Sequence, residues 1–441
     1  DERYKKITAR MILSHTSGLP NWRDGQLQLN FDPGARYSYS GEGFVFLQKV
    51  IEKITAKPLD EWMQKQVFQP LGMTRSSYVW QESFENDYAL PHDEDMKSRQ
   101  FNKYENGNTA YSLLTTAQDY GKFLLEILQM QTAKKSNFNQ MLQPRLYVTE
   151  KWGQESPTRK DIAWGLGLGL EYNANGQYFW QWGDNGTFKA FVIGNKATGK
   201  GLVYFTNGSN GLSITAEVLQ KVFGDTHTIF NWLNYVPYDA PARQLYKAIL
   251  NQGFTKATEG LLTEAGTLKD TLAYTENAIN SLGYRLSRQK RTWEAQQILA
   301  VNMRTFPYSS NVYDSYAEIS MYAGDHKAAI KACRKLLELN PENKLAQNVL
   351  DQLTKPLSGK VKIELRGYDN AKFVSLAGSF NDWSQWHHIM QRQDGAWVCQ
   401  LDLEPGTYEY KFVVDGIWIL DETNPKTVYE NGHHNSVLEI K

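Results

Sequence analysis

The residue pattern changes twice along the chain, and this change constrains the fold more than any other feature. Among the 441 residues, the first half mixes helical and strand spacing, and residues 240–354 keep helical spacing throughout. The last part alternates apolar and polar side chains between Gly, Pro and Asp-Gly turns. A chain of this length supports several domains. We predict an α/β domain over residues 1–235, an all-α segment over residues 236–354 and an all-β sandwich over residues 355–441.

Charge and composition exclude several function classes. The chain has 48 Lys and Arg against 48 Asp and Glu, so no overall field favours nucleic acid or a membrane surface. No stretch reaches the roughly 20 apolar residues of a membrane span. The sequence contains no HExxH pattern, phosphate loop or cysteine cluster. We therefore expect no metal, no organic cofactor, no nucleic-acid partner and no membrane span.

The first domain is predicted to be an antiparallel sheet with flanking helices. Apolar residues recur there at helical spacing, and β-branched and aromatic runs lie between turn residues. The predicted helices are residues 43–54, 59–68, 116–130 and 212–223. The predicted strands are residues 178–182, 190–194 and 201–206.

The helical segment contains an internal repeat. Ala295 and Ala329 are 34 residues apart, and so are Pro307 and Pro341. This spacing resembles that of tetratricopeptide repeats, in which small side chains lie where paired helices cross and Pro closes the second helix. Two copies are few for an independent solenoid, so we expect a packing or spacer role instead of a peptide-binding groove.

The C-terminal region is predicted to be a small sandwich of the immunoglobulin-like kind, preceded by a linker at residues 355–359. Short alternating runs are separated there by turn-forming pairs such as Asp-Gly and Pro-Gly. The predicted strands are residues 361–365, 373–377, 397–401 and 408–414.

Several short motifs follow one another in the first domain. They are HTSGLP at 15–20, FDPG at 31–34, YSGEGF at 39–44, PLGM at 70–73, LTTAQDYGKF at 114–123, GLGLG at 165–169 and QWGDN at 181–185. In this order they resemble the β-lactamase-like serine hydrolases: class C β-lactamases, family VIII carboxylesterases and penicillin-binding proteins. The GLGLG stretch resembles a strand of that family. The resemblance covers about half of the chain.

The resemblance implies roles for the YSG element. Tyr39 takes the place of the family tyrosine that accepts the proton of the nucleophile and passes it to the leaving group. Such a tyrosine needs nearby cations that lower its pKa far below about 10. Ser40 and Gly41 would line the substrate cleft. The family has Asn where Gly41 stands, so one side-chain amide is absent here.

The QWGDN element stands where the family has a Lys-Thr-Gly or His-x-Gly strand. That strand supplies an oxyanion-hole N–H and lines the cleft. The resemblance therefore implies catalytic-site positions for Gln181, Gly183 and Asp184, with Trp182 lining the cleft. Gln181 is neutral where the family has a cation, which argues against anchoring of a substrate carboxylate.

The nucleophile of the family, a Ser-x-x-Lys helix, precedes HTSGLP, whereas only residues 1–6 precede the segment that begins at Ile7. We therefore expect this chain alone to be inactive, with its own N-terminal segment as a further partner. Ser287 and Lys290 fit Ser-x-x-Lys, but they follow Tyr39 in the helical segment, and a solvated helix face is the preferred interpretation. His15 is expected to be structural.

Three C-terminal stretches resemble the glycogen-binding module of AMP-activated protein kinase β-subunits. They are GSFNDW at 378–383, YKFVVDGIW at 410–418 and NGHHNSV at 431–437. The resemblance implies that the indoles of Trp383 and Trp418 form a platform for glucose rings, while Lys411 and Asn435 bond hydroxyl groups. His433 replaces a common Thr. The alternative is that both indoles are core residues of a docking domain.

These observations predict a bacterial-type serine hydrolase that cleaves a small ester or amide through an acyl-enzyme and carries an α-glucan-binding module. By family resemblance it would be periplasmic or secreted. The alternative is a non-catalytic carbohydrate-binding or scaffold protein with a degenerate hydrolase fold. The missing nucleophile, Gly41 and Gln181 favour the alternative, whereas the other cleft motifs favour the enzyme. The sequence does not identify the acyl group or the leaving group of the substrate.

Overall fold

The computed structural model describes residues 1–23, 25–129, 139–151, 154–155, 158–430 and 433–440. The chain forms two compact units, Asp1–Tyr238 and Asp239–Lys441. The first unit ends close to the predicted boundary at residue 235. The division of the remainder at residue 354 stays a prediction. Among the described residues, no helix has both the length and the apolar character that crossing a bilayer requires.

The first unit is built on a six-stranded antiparallel sheet with the strand order β1-β4-β5-β6-β7-β8. The strands of the unit are β1 Leu146–Tyr147, β2 Glu150–Lys151, β3 Gln154–Glu155, β4 Ile162–Trp164, β5 Gly169–Asn173, β6 Gly176–Asp184, β7 Lys189–Asn195 and β8 Lys200–Thr206. Among the described residues, β2 and β3 form a separate two-stranded sheet. The strands predicted within β6, β7 and β8 are thus present and extend slightly further.

Helices flank this sheet. They are α1 Ala9–Leu13, α2 Gly41–Thr55, α3 Leu59–Met63, α4 Ala117–Gln129, α5 Thr215–Phe223 and α6 Ile229–Leu233. Residues 64–68, predicted as a continuation of α3, form a π-helical turn, Gln64–Phe68. Residues 211–214, partly predicted as the start of α5, form a 3₁₀ turn, Gly211–Ile214.

Alternation along β6 places two apolar clusters on opposite faces of the sheet. Trp180 belongs to a cluster that includes α6, whereas its neighbour Phe179 packs with Leu124 and Ile127 of α4. Successive side chains of a strand point to opposite faces, so a run of apolar residues indicates a sheet covered on both sides. The sheet is therefore an interior layer with apolar packing on both faces.

The prediction of a strand at GLGLG is wrong. The stretch is the connection from β4 to β5, and only Gly169 lies in a strand. Gly167 has φ +81°, a left-handed conformation that glycine adopts without steric cost. A Cβ on Gly165 would lie 2.0 Å from the carbonyl oxygen of Met141. The glycines thus serve a tight turn and a close backbone approach instead of strand packing.

The second unit begins with helices. They are α7 Pro241–Gln252, α8 Phe254–Thr258, α9 Glu276–Arg288, α10 Thr292–Thr305, α11 Ser310–Tyr322, α12 His326–Leu339 and α13 Lys344–Thr354. Helices α9, α11 and α13 start 34 residues apart, as do α10 and α12. Ala295 and Ala329 have no exposed surface, as small residues between packed helices require. Assignment to tetratricopeptide repeats stays a prediction.

The expectation that residues 240–354 are helical throughout is wrong for residues 259–275. These residues form turns, with Gly260 and Gly266 at φ values of +75° and +72°. The hydroxyls of Thr263 and Thr267 lie 2.7 Å apart across one of these turns. Left-handed glycines and hydroxyl bonding stabilise turns at the expense of a helix.

Two sheets complete the second unit, as the sandwich prediction requires. The larger has the order β10-β13-β16-β15 with β14 on β13, and the smaller has the order β11-β12-β9. The strands are β9 Val361–Leu365, β10 Val374–Gly378, β11 Gln391–Gln393, β12 Ala396–Leu401, β13 Gly406–Val414, β14 Ile417–Ile419, β15 Thr427–Glu430 and β16 His433–Ile440. Leu376, Phe412 and Trp397 contribute to the core that the sandwich strands share.

Helices and sandwich share a cluster within this unit. Phe373, next to β10, packs on Tyr322 and Trp386 with ring centroids 5.5 and 5.1 Å away. The side-chain amide of Asn348 in α13 donates to the carbonyl oxygen of Trp386 at 2.8 Å. Trp386 therefore anchors the loop that follows β10 to the helices.

Candidate functional site

Tyr39 and Ser40 lie immediately before helix α2, and Ser40 is the N-cap of that helix. The Ser40 hydroxyl accepts from the Gly43 N–H at 2.9 Å and donates to the Pro20 carbonyl at 2.8 Å. Its own N–H donates to Nδ1 of His15 at 3.0 Å. Ser40 was predicted to line the cleft, but its hydroxyl is used in capping and in joining two loops.

The ring of Tyr39 is enclosed by other aromatic rings. His15 stacks on it with centroids 4.2 Å apart, and Trp182 packs at 4.9 Å. Burial raises the pKa of Tyr39 to about 12 and lowers the pKa of His15 to about 3. His15 is thus neutral at physiological pH and supplies no cation to Tyr39. A general base needs a pKa near the working pH, so Tyr39 requires a positive charge from another source.

The space beside Gly41 explains why the amide side chain of the family is absent. A Cβ on Gly41 would lie 2.8 Å from Cη2 of Trp22 and 3.0 Å from the carbonyl oxygen of Asn21. The Gly41 N–H donates to the Asn21 side chain at 3.1 Å. Trp22 therefore occupies the place into which a residue 41 side chain would point.

Strand β6 brings the QWGDN element next to Tyr39. Trp182, whose ring contacts Tyr39, is only 8% exposed. The Gln181 side-chain oxygen accepts from the Trp182 N–H at 3.1 Å. Gly183 pairs with Ala190, and a Cβ on Gly183 would lie 3.2 Å from the Ala190 Cβ. The structure thus brings together Tyr39 and the strand that sequence reasoning assigned to the same site.

Asp184 is the centre of a charged group that sequence reasoning missed. It forms an ion pair with Lys189, its cross-strand neighbour in β7, whose side chain is 7% exposed. The Tyr235 hydroxyl donates to Asp184 Oδ2 at 2.7 Å. Burial, and then the bond to Asp184, raise the pKa of Tyr235. The sequence signal was the Asn185–Gly186 pair between two strands, but a two-residue Asn-Gly loop would pair Asp184 with Thr187. The observed four-residue connection pairs Asp184 with Lys189 instead.

A second candidate site lies on the sandwich. The ring centroids of Trp383 and Trp418 are 6.3 Å apart with planes inclined at 44°. Trp418 is 44% exposed and Trp383 is half-buried. We call these two residues the exposed indole pair. The structure brings both predicted platform residues together, although 34 residues separate them in the chain.

The GSFNDW motif has a local structural explanation. The side chain of Asn381 is buried, accepts from the Gly378 N–H at 2.9 Å and donates to the Leu376 carbonyl at 3.0 Å. Asp382 and Trp383 follow in the left-handed region, with φ values of +53° and +58°. Two such non-glycine residues in succession are uncommon. The Asn381 bonds hold the turn that presents Trp383.

Lys411 and Asn435 lie on the sheet that carries Trp418. Lys411 is two residues before Val413, the cross-strand partner of Trp418, so their side chains share one face. Asn435 is 6% exposed, and its amide donates to Glu409 Oε2 at 2.7 Å. Glu409 was not predicted as a site residue. The available signal was the position of Glu409 two residues before Lys411, since side chains two residues apart on a strand share one face. Asn431, Gly432 and the His433 side chain of the third motif lie outside the described residues.

Comparisons with known proteins follow the division between these two sites. Residues 1–220 match the Beta-lactamase family model. A penicillin binding protein from Bacillus halodurans is 20% identical over 50% of this chain and 74% of that one, with a TM-score of 0.42. The octameric penicillin-binding protein homologue from Pyrococcus abyssi is 21% identical over 56% of this chain and 63% of that one, with a TM-score of 0.43.

Residues 361–441 match the family model of the glycogen recognition site of AMP-activated protein kinase. The 5'-AMP-activated protein kinase subunit beta-2 of Mus musculus is 33% identical over 22% of this chain and 35% of its own length. Protein FLOURY ENDOSPERM 6, chloroplastic, of Oryza sativa subsp. japonica is 34% identical over 26% of this chain and 22% of its own length. The chain thus spans between a fifth and about a third of these curated relatives. It combines a Beta-lactamase family domain, over residues 1–220, with a C-terminal glycogen-recognition module of the AMP-activated protein kinase type.

Proposed function

We propose that the C-terminal module binds an α-glucan through the exposed indole pair. The observation that carries this proposal is the exposure of Trp418, 44%, beside Trp383 at 6.3 Å. An indole with an accessible face stacks on the apolar face of a sugar ring, and flanking polar groups then bond the hydroxyls. Lys411 and the Asn435–Glu409 pair are the polar groups on the same sheet face.

The alternative, that both indoles are core residues, receives less support. The indole of the sandwich core is Trp397, which is 4% exposed and packs with Leu376 and Phe412. Trp418 lies on the short strand β14 at one side of β13, opposite Val413. Because 44% of Trp418 is already exposed, its removal would uncover less apolar surface than removal of Trp397.

Titration of the whole chain with maltoheptaose, measured by calorimetry, tests the proposal. Trp383→Ala and Trp418→Ala should each weaken the module's affinity about fivefold or more, since each stacking contact contributes on the order of 1 kcal/mol. Trp293→Ala is the matched control, because this indole is 56% exposed but lies in the helical segment. Absence of binding in the unmodified chain would refute the proposal. A large loss of stability in Trp383→Ala would identify that ring as a core residue.

We further propose that the first unit is the scaffold of a serine acyl hydrolase acting on a small ester or amide. Its support is the contact of the Tyr39 ring with Trp182, a residue of the strand that also carries Gln181, Gly183 and Asp184. Tyr39 would exchange protons with the nucleophile, and the Gly183 backbone would stabilise the oxyanion.

The described groups alone do not equip Tyr39 for that role. Its pKa of about 12 leaves the phenol neutral at pH 7, and the buried cation nearby, Lys189, is paired with Asp184. We therefore propose that this chain by itself forms no acyl-enzyme, which agrees with the non-catalytic alternative for the isolated chain. Incubation with a fluorophosphonate, read by intact mass, should give no adduct. An adduct on any serine, Ser287 included, would contradict this.

A further inference from the structure

We infer that the Beta-lactamase family domain has a carbohydrate contact of its own, formed by Trp22 and Tyr111, that takes a neutral sugar ring. Both rings are open to solvent, Trp22 at 52% and Tyr111 at 39% exposure. Their centroids are 6.1 Å apart and their planes are inclined at 60°. We call these two residues the aromatic rim. Its centroid distance is close to the 6.3 Å of the exposed indole pair, although its rings meet edge to face and it lies in the other unit.

The aromatic rim adjoins both elements of the Tyr39 site. Trp22 covers Gly41, two residues after Tyr39, at the distance that excludes a side chain there. The Tyr111 carbonyl accepts from the Asn185 side-chain amide at 2.8 Å, and Asn185 follows Asp184 directly. A ligand that lies on the rim therefore also lies beside the start of α2 and the end of β6.

Both rings of the rim are held in position. The backbone of residue 21, next to Trp22, accepts from the N–H groups of Gly41 and Glu42 at 3.1 and 3.0 Å. Tyr104 packs on Tyr111 with centroids 5.4 Å apart. A binding surface whose rings are fixed before the ligand arrives loses less conformational freedom on binding.

Charge at the rim favours an uncharged ligand. Arg23 lies 3.8 Å from Glu42, and Lys189 is paired with Asp184. Side-chain amides of Asn21 and Asn185 provide the remaining polarity, with part of each amide used in the bonds to Gly41 and Tyr111. Aromatic faces with amide groups suit a pyranose ring, which has an apolar face and neutral hydroxyls. The choice of an α-glucan rests on the proposed function of the C-terminal module.

A neighbouring aromatic group in the same unit lacks these properties and serves as a control. Trp80 and Tyr88 contact each other at 5.1 Å. The Lys103 ammonium lies 4.7 Å from the Trp80 centroid and 2.7 Å from a Glu85 oxygen. The Lys103 ammonium thus lies over the faces of both rings, Trp80 and Tyr88. Tyr88 is 37% exposed, close to Tyr111, so Tyr88→Ala matches Tyr111→Ala in size and exposure.

The test uses the whole chain with the sandwich site removed by Trp383→Ala and Trp418→Ala. Maltoheptaose is titrated against this double variant, with saturation-transfer NMR to detect millimolar binding. Residual binding is expected, and adding Trp22→Ala or Tyr111→Ala should weaken it about fivefold or more. Adding Tyr88→Ala should leave it unchanged. The unfolding midpoint of each variant should match that of the double variant, since the replaced rings are exposed.

The outcomes separate this inference from the proposed function. Absence of residual binding in the double variant overturns the inference and leaves the module's proposed role intact. Residual binding that survives both Trp22→Ala and Tyr111→Ala also overturns it. If the double variant keeps the full affinity of the unmodified chain and Trp22→Ala alone removes it, the role of the module fails while the rim is supported.

Discussion

Trp164 and Trp180 in the first unit lie slightly closer together than Trp383 and Trp418 in the second, with ring centroids 5.5 and 6.3 Å apart. Their surroundings are opposite. Trp164 and Trp180 have no exposed surface, whereas Trp418 is 44% exposed. In the first unit the two rings pack against each other and are covered by their neighbours. In the second, part of Trp418 stays exposed, as the proposed glucan platform requires. Contact between aromatic rings is therefore common to a core and to a binding platform, and exposure separates the two.

The position of each strand explains the difference. Trp180 and Trp182 are two residues apart on β6, so both point to one face of an interior sheet, where Trp232 of α6 covers them. We call Trp164, Trp180, Trp182 and Trp232 the buried indole cluster. Trp418 lies on β14, for which the described strands provide β13 as the single neighbour. Fewer neighbouring elements cover the side chains of a short strand at the side of a sheet than cover those of a central strand.

The largest expected effect is the loss of a buried ring. Trp180→Ala should destabilise the first unit by about 3–5 kcal/mol, because it removes a large apolar side chain and leaves a cavity. Urea unfolding followed by circular dichroism measures this change. A loss below about 1 kcal/mol would mean that the buried indole cluster is loosely packed and that the comparison of the two regions does not hold.

Acid should loosen the buried indole cluster before it affects the exposed indole pair. The Arg159 guanidinium, together with the Thr228 hydroxyl, lowers the pKa of Asp161 to about 2, and Thr228 precedes the helix that carries Trp232. Because the folded-state pKa is depressed, this stabilisation is present above about pH 4 and is lost as the pH falls towards 2, on the order of 1 kcal/mol in total once screening by solvent around the partly exposed pair is included. Tryptophan fluorescence against urea at several pH values reports it.

Asp161→Asn provides the control for this pH dependence. The variant should already be less stable at pH 7 and should lose less stability between pH 4 and 2 than the unmodified chain. An equal loss in both proteins would assign the acid sensitivity to other carboxylates, and the link to the buried indole cluster would be withdrawn.

A smaller effect is expected at Gly41, where the Trp22 ring occupies the space that the side chain of the family's Asn would need. Gly41→Asn should cost about 1 kcal/mol, since its Cβ would meet Trp22 at 2.8 Å and the exposed indole must move. In a Trp22→Ala background the same substitution should cost less, and a double-mutant cycle measures that coupling. Equal costs in both backgrounds would show that the Asn21 backbone, and not Trp22, excludes the side chain.

The smallest expected effect is on stability at the exposed indole pair. Trp418→Ala should change the free energy of unfolding by less than about 0.5 kcal/mol, as for most exposed positions, while glucan affinity falls. Comparison with Trp397→Ala in the same sandwich, a 4% exposed ring expected to cost about 3 kcal/mol or more, isolates the effect of burial. Similar losses in the two variants would remove the basis for calling one ring a platform.

Much of the fold could be predicted from the sequence because local spacing and turn chemistry encode it. The helix predicted at residues 43–54 is α2, Gly41–Thr55, and the strand predicted at 361–365 is β9, Val361–Leu365. The errors occur where glycine was read only as part of a family motif or where helical spacing continued into a turn. At GLGLG and at residues 259–275, left-handed glycines decide the backbone.

The sequence by itself determined the order of the motifs and the local bonds within them, such as the Ser40 cap and the Asn381 turn. These depend on residues within a few positions of one another, so a short pattern suffices. Only the tertiary structure decided that Tyr39 is enclosed with a raised pKa, that Trp22 fills the space at Gly41, and that Asn435 holds Glu409. Burial and contact between distant segments depend on the packed layers together, and no single stretch of sequence specifies them.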